Sequence, residues 1–231
     1  MPTALFAPHS VLACLLRGRL RHPLNHRGAS TRRRPLLYLA SRSPRRRGLL
    51  RRVGRPFRVV RSTHREVIRR GLRPSVNAIR NAVGKARKAQ LPPGAAGVVI
   101  GADTFLYFRG RTIGKPRSLA QARRILRGLS GRSHWVYTGL CLWEPASGRL
   151  RTAYAKTTVT FKRLDEAAIT RLFSRSSHLD KAGGYALQAD RGELIARLDG
   201  SRTNVIGLPL ELLRLELRRM EGRRTRLTGV A

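Results

Sequence analysis

Acidic residues are scarce in this chain, which holds 12 Asp and Glu against 49 Lys and Arg among 231 residues and has a formal net charge of +37. Lysine is scarce as well: only six of the cations are lysines, and arginine is the side chain suited to bidentate phosphate contacts. The charge favours polyanionic partners. An arginine-biased genome would produce the same composition, because net charge bears on solubility and non-specific association rather than on fold.

Cysteines, aromatic residues and long apolar runs are also few, and each scarcity argues against a class of protein. Cys14 and Cys141 form no C-x-x-C pattern, which disfavours a disulfide framework or a zinc site. Aromatic residues make up 6% of the chain and form no RNP, KH or finger pattern, so nucleic-acid binding rests on charge alone. No apolar run approaches the ~18 residues of a membrane span, and we expect a soluble chain with no membrane partner.

The composition divides the chain into three parts. Residues 1–35 contain seven arginines and no acid, so we expect a basic, disordered extension. A transit peptide is the alternative, since such segments are arginine-rich and acid-poor. Residues 36–221 have the apolar content of one folded domain, and residues 222–231 form a basic tail. The first interpretation of the extension implies a cytoplasmic location, and the second an organellar one.

Strand-like and helix-like segments alternate from Leu36 onward, which predicts a mixed α/β domain with a hairpin-rich sheet. Trp135 and Tyr137 are expected to fill the core as alternating strand residues. Val76, Ile79, Val83 and Ala86 are expected on one face of a helix over 74–89. The predicted strands are 36–40, 57–60, 134–143, 150–161 and 193–198, with a further strand that runs into a turn over 97–104 and a hairpin over 105–114. The predicted helices begin at Pro44, Pro74, after Ser118, after Asp165 and at Pro209, the last one ending near Met220.

The stretch "LASRSPRRRGLL" (39–50) predicts a helix N-terminus shaped to hold phosphate. Ser43 is placed to cap the helix and Pro44 to occupy its first position. The free N–H groups of that end, with Ser41, Arg45 and Arg46 around them, would attract an anion. A solvated, arginine-rich first turn is the alternative interpretation of this stretch alone.

Three further motifs carry polar groups that such a site could use. "IGADT" is expected to place Asp103 and Thr104 just past a buried strand, at a sheet edge rather than in the core. "GKP" offers Lys115 on a loop. "LDKAGGYALQ" (179–188) adds Gln188 on a segment whose glycines permit close approach of the backbone to a ligand, while Tyr185 is expected to pack that segment.

These pieces, in this order, resemble the Maf proteins, a family of nucleoside triphosphate pyrophosphatases, over about residues 36–221. The matching stretches are "LASRSPRR", Glu66 after "FRVV", Lys85-Ala86, "GADT", "GKP", "LSGRSHWVYTGL", "TTVTF", "LDKAGGYALQ" and "NVIGLPL". The resemblance implies an ITPase-like fold, with a mixed sheet, flanking helices and a deep cleft between two lobes. It also implies a homodimer and metal-dependent hydrolysis of a nucleoside triphosphate to the monophosphate and pyrophosphate, with Mg²⁺ or Mn²⁺.

The resemblance also assigns roles to individual residues. Asp103 falls on the proton acceptor, positions linked to substrate choice are Arg45, Thr104 and Gln188, and other cleft positions are Ser41, Arg46, Glu66, Lys85 and Lys115. A triphosphate with Mg²⁺ requires several cations and one or two carboxylates. We therefore expect phosphate to be bound by Ser41, Arg46, Lys85 and Lys115, and the metal by Glu66 and Asp103. The pairing of Ser-Pro-Arg-Arg with Asp-Lys-Ala-Gly…Gln is similar to the branch that acts on dTTP and UTP in a house-cleaning role; the branch acting on 7-methyl-GTP is the alternative. The chain departs from the family pattern at Gly48, Arg65, Ala189 and Arg191.

Two functions from different classes therefore stand side by side. The first is a pyrophosphatase of this family. The second is a catalytically weak, basic protein that binds nucleic acid non-specifically on the same scaffold. The presence of Glu66, Asp103, Lys115 and Gln188 favours the enzyme, because a binding protein has no need of them.

Overall fold

The computed structural model describes residues 34–175, 182–185, 187, 190 and 192–226. Its strands are β1 (Leu36–Leu39), β2 (Phe57–Val59), β3 (Gly97–Phe108), β4 (Arg111–Ile113), β5 (Ser133–Glu144), β6 (Arg149–Phe161) and β7 (Ile195–Asp199). Its helices are α1 (Pro44–Arg51), α2 (Pro74–Arg87), α3 (Leu119–Leu129), α4 (Glu166–Arg175), α5 (Arg202–Ile206) and α6 (Leu210–Arg226). No helix in these ranges is long and apolar enough to cross a membrane.

The seven strands form one mixed sheet in the order β2-β1-β3-β5-β6-β7, with β4 also paired to β3. β1 is parallel to β2 and β3, and the remaining pairs are antiparallel. On one side, β3 pairs with β1 through residues 97–100 and with β4 through 106–108. Among the described strands, residues 101–105 of β3 pair with β5 alone. This gap between β1 and β4 opens the sheet where the candidate site lies.

Helix α2 packs unusually close to the sheet because glycines face it. A Cβ atom on Gly139 would lie 2.2 Å from the Ala78 carbonyl group, and one on Gly101 would lie 2.1 Å from the Ala82 carbonyl oxygen. Only glycine permits this approach, and it brings the polar residues of α2 down onto β3. The other face of the sheet packs against Leu208, Leu213, Leu217 and neighbouring apolar residues in and before α6.

The structure confirms the predicted mixed sheet with flanking helices and most of its local signals. Arg109 (φ 47°) and Gly110 (φ 75°) make the tight turn of the predicted hairpin, in the left-handed conformation that two-residue hairpin loops favour. Ser118 accepts a hydrogen bond from the Gln121 amide at 3.2 Å, and Asp165 accepts one from Ala168 at 2.7 Å. Helix α6 continues six residues past its predicted end, and α5 was not predicted.

The prediction that Trp135 and Tyr137 fill the core is wrong. Their neighbours His134, Val136 and Thr138 are the buried set of β5, and alternation along a strand sends the intervening residues to the opposite face. Trp135 is 38% exposed. Its ring stacks beside Tyr107 at 6.1 Å, with the Lys156 ammonium 4.4 Å from the ring centroid. These aromatic residues therefore form a partly exposed patch.

His134 makes the stability of the fold pH-dependent. Its Nε2 shares a 2.8 Å hydrogen bond with the Tyr185 hydroxyl, and its ring packs against Phe161 and Tyr185. Burial lowers the pKa of His134 from 6.5 to about 4. Between these values the unfolded chain binds a proton that the folded chain does not, so stability falls as the pH falls from 6.5 towards 4. By pH 4.5 this residue should cost about 2–3 kcal/mol.

The measurement is the free energy of unfolding in urea at pH 7.5 and pH 4.5, for the parent and for His134→Gln. The variant should lose about 2–3 kcal/mol less than the parent over this interval. An equal loss in both proteins would show that His134 is not the group responsible.

Candidate active site

The gap beside β3 forms the mouth of a cleft of about 540 Å³, within the range of small-molecule sites. One part of its lining is formed by the start of α1, the loop between β2 and α2, Asn81 and Lys85 of α2, and the middle of β3. The rest is formed by Thr112 of β4 and the segment after it, by Tyr185 and Leu187, and by the turn around Gly207. The sequence-predicted residues that line the cleft are Ser41, Arg45, Arg46, Glu66, Lys85, Asp103, Thr104, Lys115 and Tyr185.

The N-terminus of α1 forms as predicted. Ser43 caps the helix by accepting from the Arg46 amide at 3.5 Å, and Pro44 occupies the first turn. The Ser41 hydroxyl accepts from the Ser43 amide at 3.3 Å. Residues 41–46 line the cleft, so the partial positive charge of the helix N-terminus faces it.

Arg46 links three walls of the cleft. Its Nε donates to the Gly207 carbonyl at 2.8 Å, Nη1 to the Ser41 hydroxyl at 3.2 Å and Nη2 to the Thr104 hydroxyl at 3.0 Å. Burial lowers its pKa, and the nearby carboxylates of Asp103 and Glu66 partly offset this. An arginine nevertheless stays charged in a protein, so a partly buried cation lies in the wall of the cleft.

Asp103 lies inside β3 and is only 4% exposed, so the prediction that it stands beyond the strand, at a sheet edge outside the core, is wrong. A buried carboxylate is tolerated here because α2 brings two donors to it. Lys85 Nζ donates to Oδ1 at 2.7 Å, and Asn81 Nδ2 donates to Oδ2 at 2.8 Å. Burial raises the pKa of Asp103, but Lys85, Arg46 and Asn81 outweigh it and hold the pKa below its usual value.

Lys85 joins Asp103 to a second carboxylate. Its ammonium group lies 2.6 Å from Glu66 Oε1 and donates to the Ala102 carbonyl at 3.2 Å. Glu66 stands on the loop between β2 and α2, with 53% of its side chain exposed, whereas the Lys85 side chain is 10% exposed. One buried cation thus lies between a buried and a solvent-facing carboxylate, at the place where a divalent cation would also be attracted.

The residues present fit Mg²⁺ or Mn²⁺ held jointly with a substrate. Among the described residues no group of three or more His, Cys, Asp and Glu side chains is placed to hold a metal ion. Mg²⁺ nevertheless binds proteins through one or two carboxylates, and completes its shell with water and substrate phosphates. Glu66 and Asp103 supply that number of carboxylates.

The other predicted residues have different environments. The Thr104 hydroxyl shares a 2.9 Å hydrogen bond with Thr138 and accepts from Arg46, so protein groups already engage it. Lys115 is an exposed residue of the cleft lining. Of the departures from the family pattern, Gly48 and Arg65 are both exposed. Gln188, Ala189 and Arg191 lie outside the described residues.

Sequence reasoning missed the polar row of α2. The buried residues of this helix are Asn77, Ala78, Asn81, Ala82, Lys85 and Ala86. Of the four residues predicted to share a face, only Ala86 is among them, and Val76 is 38% exposed. Gly101 and Gly139 bring the helix backbone so close to the sheet that Ala78 and Ala82, rather than large apolar residues, lie there, and Asn81 and Lys85 bond to Asp103. The signal was present in the sequence, because 77, 81 and 85 recur at the four-residue spacing of one helix face.

Comparison with known proteins gives the family. Residues 36–220 match the family described as Maf-like protein. Three relatives are each named dTTP/UTP pyrophosphatase. The protein of Moorella thermoacetica is 42% identical over 75% of this chain and 89% of its own length. That of Pelotomaculum thermopropionicum is 41% identical over 77% and 92%, and that of Syntrophus aciditrophicus is 43% identical over 75% and 84%. The chain belongs to the Maf-like protein family.

Proposed function

We propose that this protein is a nucleoside triphosphate pyrophosphatase that hydrolyses dTTP and UTP to the nucleoside monophosphate and pyrophosphate. The observation that carries the proposal is the Asp103–Lys85–Glu66 cluster, which lines the same cleft as the α1 N-terminus. A base, carboxylates for a metal and several cations for phosphate are the groups that this reaction requires. The names of the relatives support the choice of substrate.

In the proposed reaction, the oxygen of a water molecule bonds to the α-phosphorus, and the bond from that phosphorus to the α,β-bridging oxygen breaks. Asp103 accepts the proton of the water. Its lowered pKa keeps the carboxyl group ionised, and therefore able to accept a proton, at neutral pH. The charge that develops on the departing pyrophosphate is stabilised by Lys85, by Lys115, and by the α1 N-terminus with Ser41 and Arg46. Mg²⁺ or Mn²⁺, held by Glu66 and Asp103, would polarise the phosphoryl oxygens.

Substrate choice is assigned to Arg45, Thr104 and Gln188. Because the Thr104 hydroxyl already bonds to Arg46 and Thr138, its contribution includes fixing the guanidinium of Arg46. A polar pocket discriminates between bases because a wrong base leaves buried donors or acceptors without partners.

We also propose that the protein is a homodimer with a cytoplasmic location, and that its chain divides at residues 35 and 221.

A panel of nucleotides tests the proposed function. We expect kcat/KM for dTTP and UTP to exceed that for ATP and GTP by at least about tenfold, which is ~1.4 kcal/mol of discrimination. The products should be the monophosphate and pyrophosphate, and hydrolysis should require Mg²⁺ or Mn²⁺. Release of single phosphates would contradict the reaction, and a preference for 7-methyl-GTP would assign the chain to the other branch.

The second candidate function, non-specific nucleic-acid binding, is favoured by one observation, the net charge of +37. A salt titration of nucleic-acid binding, run beside the nucleotide panel, separates the two. Binding driven by charge falls steeply as salt rises. Nucleic-acid binding that falls in this way, together with no nucleotide hydrolysis, would replace the enzyme with this alternative.

A further inference from the structure

Asn81 occupies a position that the proposed reaction does not by itself explain. It lies in the buried row of α2, is 2% exposed, and its amide group contacts both carboxylate-bearing elements of the cleft. Its Nδ2 donates to Asp103 Oδ2 at 2.8 Å, on β3. Its Oδ1 accepts from the Val67 amide at 3.0 Å, on the residue that follows Glu66.

The orientation of this amide is fixed by its partners. A carboxylate oxygen can only accept, and a backbone N–H can only donate. If the amide were turned over, its Oδ1 would face the Asp103 carboxylate, so that two acceptors met. Its Nδ2 would face the Val67 amide, so that two donors met. Oδ1 also lies 3.2 Å from His64 Nε2, which must carry the proton to make this contact. Gly84 leaves room for the imidazole, since a Cβ there would lie 2.3 Å from His64 Cε1.

The loop that Asn81 holds has no regular structure of its own. Residues 63–69 form neither helix nor strand, so the position of Glu66 depends on side-chain anchors. Asn81 supplies one anchor next to Glu66. Asn77, one turn earlier on α2, supplies another, by accepting from the Arg69 amide and donating to the Arg69 carbonyl, both at 3.0 Å.

We infer that Asn81 is a positioning residue that fixes the proposed base and the loop carrying Glu66 relative to each other. Lys85 neutralises the two carboxylates through one ammonium group, whose three donors rotate about a single bond. The short, planar amide of Asn81 instead fixes an orientation, because its donor end and its acceptor end are both engaged. This inference rests on the proposed function for its effect on catalysis, whereas the bridge itself is a property of the fold.

Two matched substitutions separate Asn81 from the other anchor of the loop. Asn81→Leu has a similar volume but removes both hydrogen bonds of the amide, so the donor to Asp103 and the acceptor for Val67 are lost together. Asn77→Leu makes the same change one turn away, on an equally buried asparagine, and frees the loop at Arg69 without touching Asp103 or Val67. We expect kcat for dTTP to fall at least tenfold further in Asn81→Leu than in Asn77→Leu, with KM changed by less than threefold in both. Equal effects in the two variants would overturn the inference.

Amide hydrogen exchange measured by NMR tests the bridge without any activity. In the parent, the Val67 amide should exchange at least tenfold more slowly than in an unstructured chain of the same sequence. Asn81→Ala should remove this protection and leave that of Arg69, and Asn77→Ala should do the reverse. An unprotected Val67 in the parent would overturn the inference, even if every variant failed to fold. A protected Val67 in a parent that hydrolyses no nucleotide would instead refute the proposed function alone.

Discussion

Replacement of Asp103 by asparagine is expected to lower the turnover of dTTP by about 10²- to 10⁴-fold, the contribution typical of a positioned base. Asparagine has nearly the same shape and can keep an oxygen towards Lys85, but it cannot accept a proton at neutral pH, and its own N–H group then faces the Asn81 donor. Lys85 retains Glu66 as a charged partner at 2.6 Å, so the fold should survive. Substrate binding should not weaken, because removing an anion near the triphosphate relieves repulsion of about 1 kcal/mol at ~4 Å in water, and more when shielded from solvent.

The measurement is kcat and KM for dTTP at limiting and at saturating Mg²⁺, with unfolding curves for each protein. Asp199→Asn is the matched control, because Asp199 lies on β7, is exposed and pairs with Arg197 at 3.3 Å. The control should hydrolyse dTTP at the rate of the parent. If saturating metal restores most of the lost rate, Asp103 acts mainly as a metal ligand. Activity of Asp103→Asn within a few-fold of the parent at limiting metal would remove both roles.

The features that the sequence predicted correctly depend on contacts between residues close together in the chain. The Ser43 side chain caps α1 through the amide of Arg46, only three residues further along the chain. The turn at Arg109 and Gly110 joins two strands that pair directly with each other. Such signals need no knowledge of the rest of the fold. The order of the motifs then allowed the family to be recognised, which a single motif would not have done.

The features that were missed depend on which surfaces meet. Alternation in β5 gave two sets of residues, and only the packing of helices on the sheet decides that the set containing His134 is buried rather than the set containing Trp135. The buried face of α2 likewise depends on Gly101 and Gly139, which lie far away in the sequence. Asp103 could be singled out as a candidate because acids are rare in this chain. Its burial could not, because the donors that permit it come from α2.

Replacement of Lys85 by methionine is expected to lower the free energy of unfolding by about 3–5 kcal/mol, the cost of leaving a buried charge without its partner. Methionine fills a similar volume, so the effect reports the lost ammonium rather than a cavity. Most of the loss should come from Asp103, which is 4% exposed, because solvent already screens the half-exposed Glu66. Lys88→Met, at an exposed site one turn further on, should change stability by less than ~0.5 kcal/mol.

The same variant tests whether Glu66 and Asp103 attract a divalent cation. With the ammonium gone, Mg²⁺ or Mn²⁺ can approach both carboxylates, and an ion present at 100 times its dissociation constant would restore about 2.7 kcal/mol. Urea unfolding with and without Mn²⁺ therefore should show a larger stabilisation in Lys85→Met than in the parent. Adding Asp103→Asn should recover part of the stability without metal and abolish the response to it. If Mn²⁺ stabilises Lys85→Met no more than Lys88→Met, these carboxylates do not form a metal site without the nucleotide, and the triphosphate itself must carry the ion into the cleft.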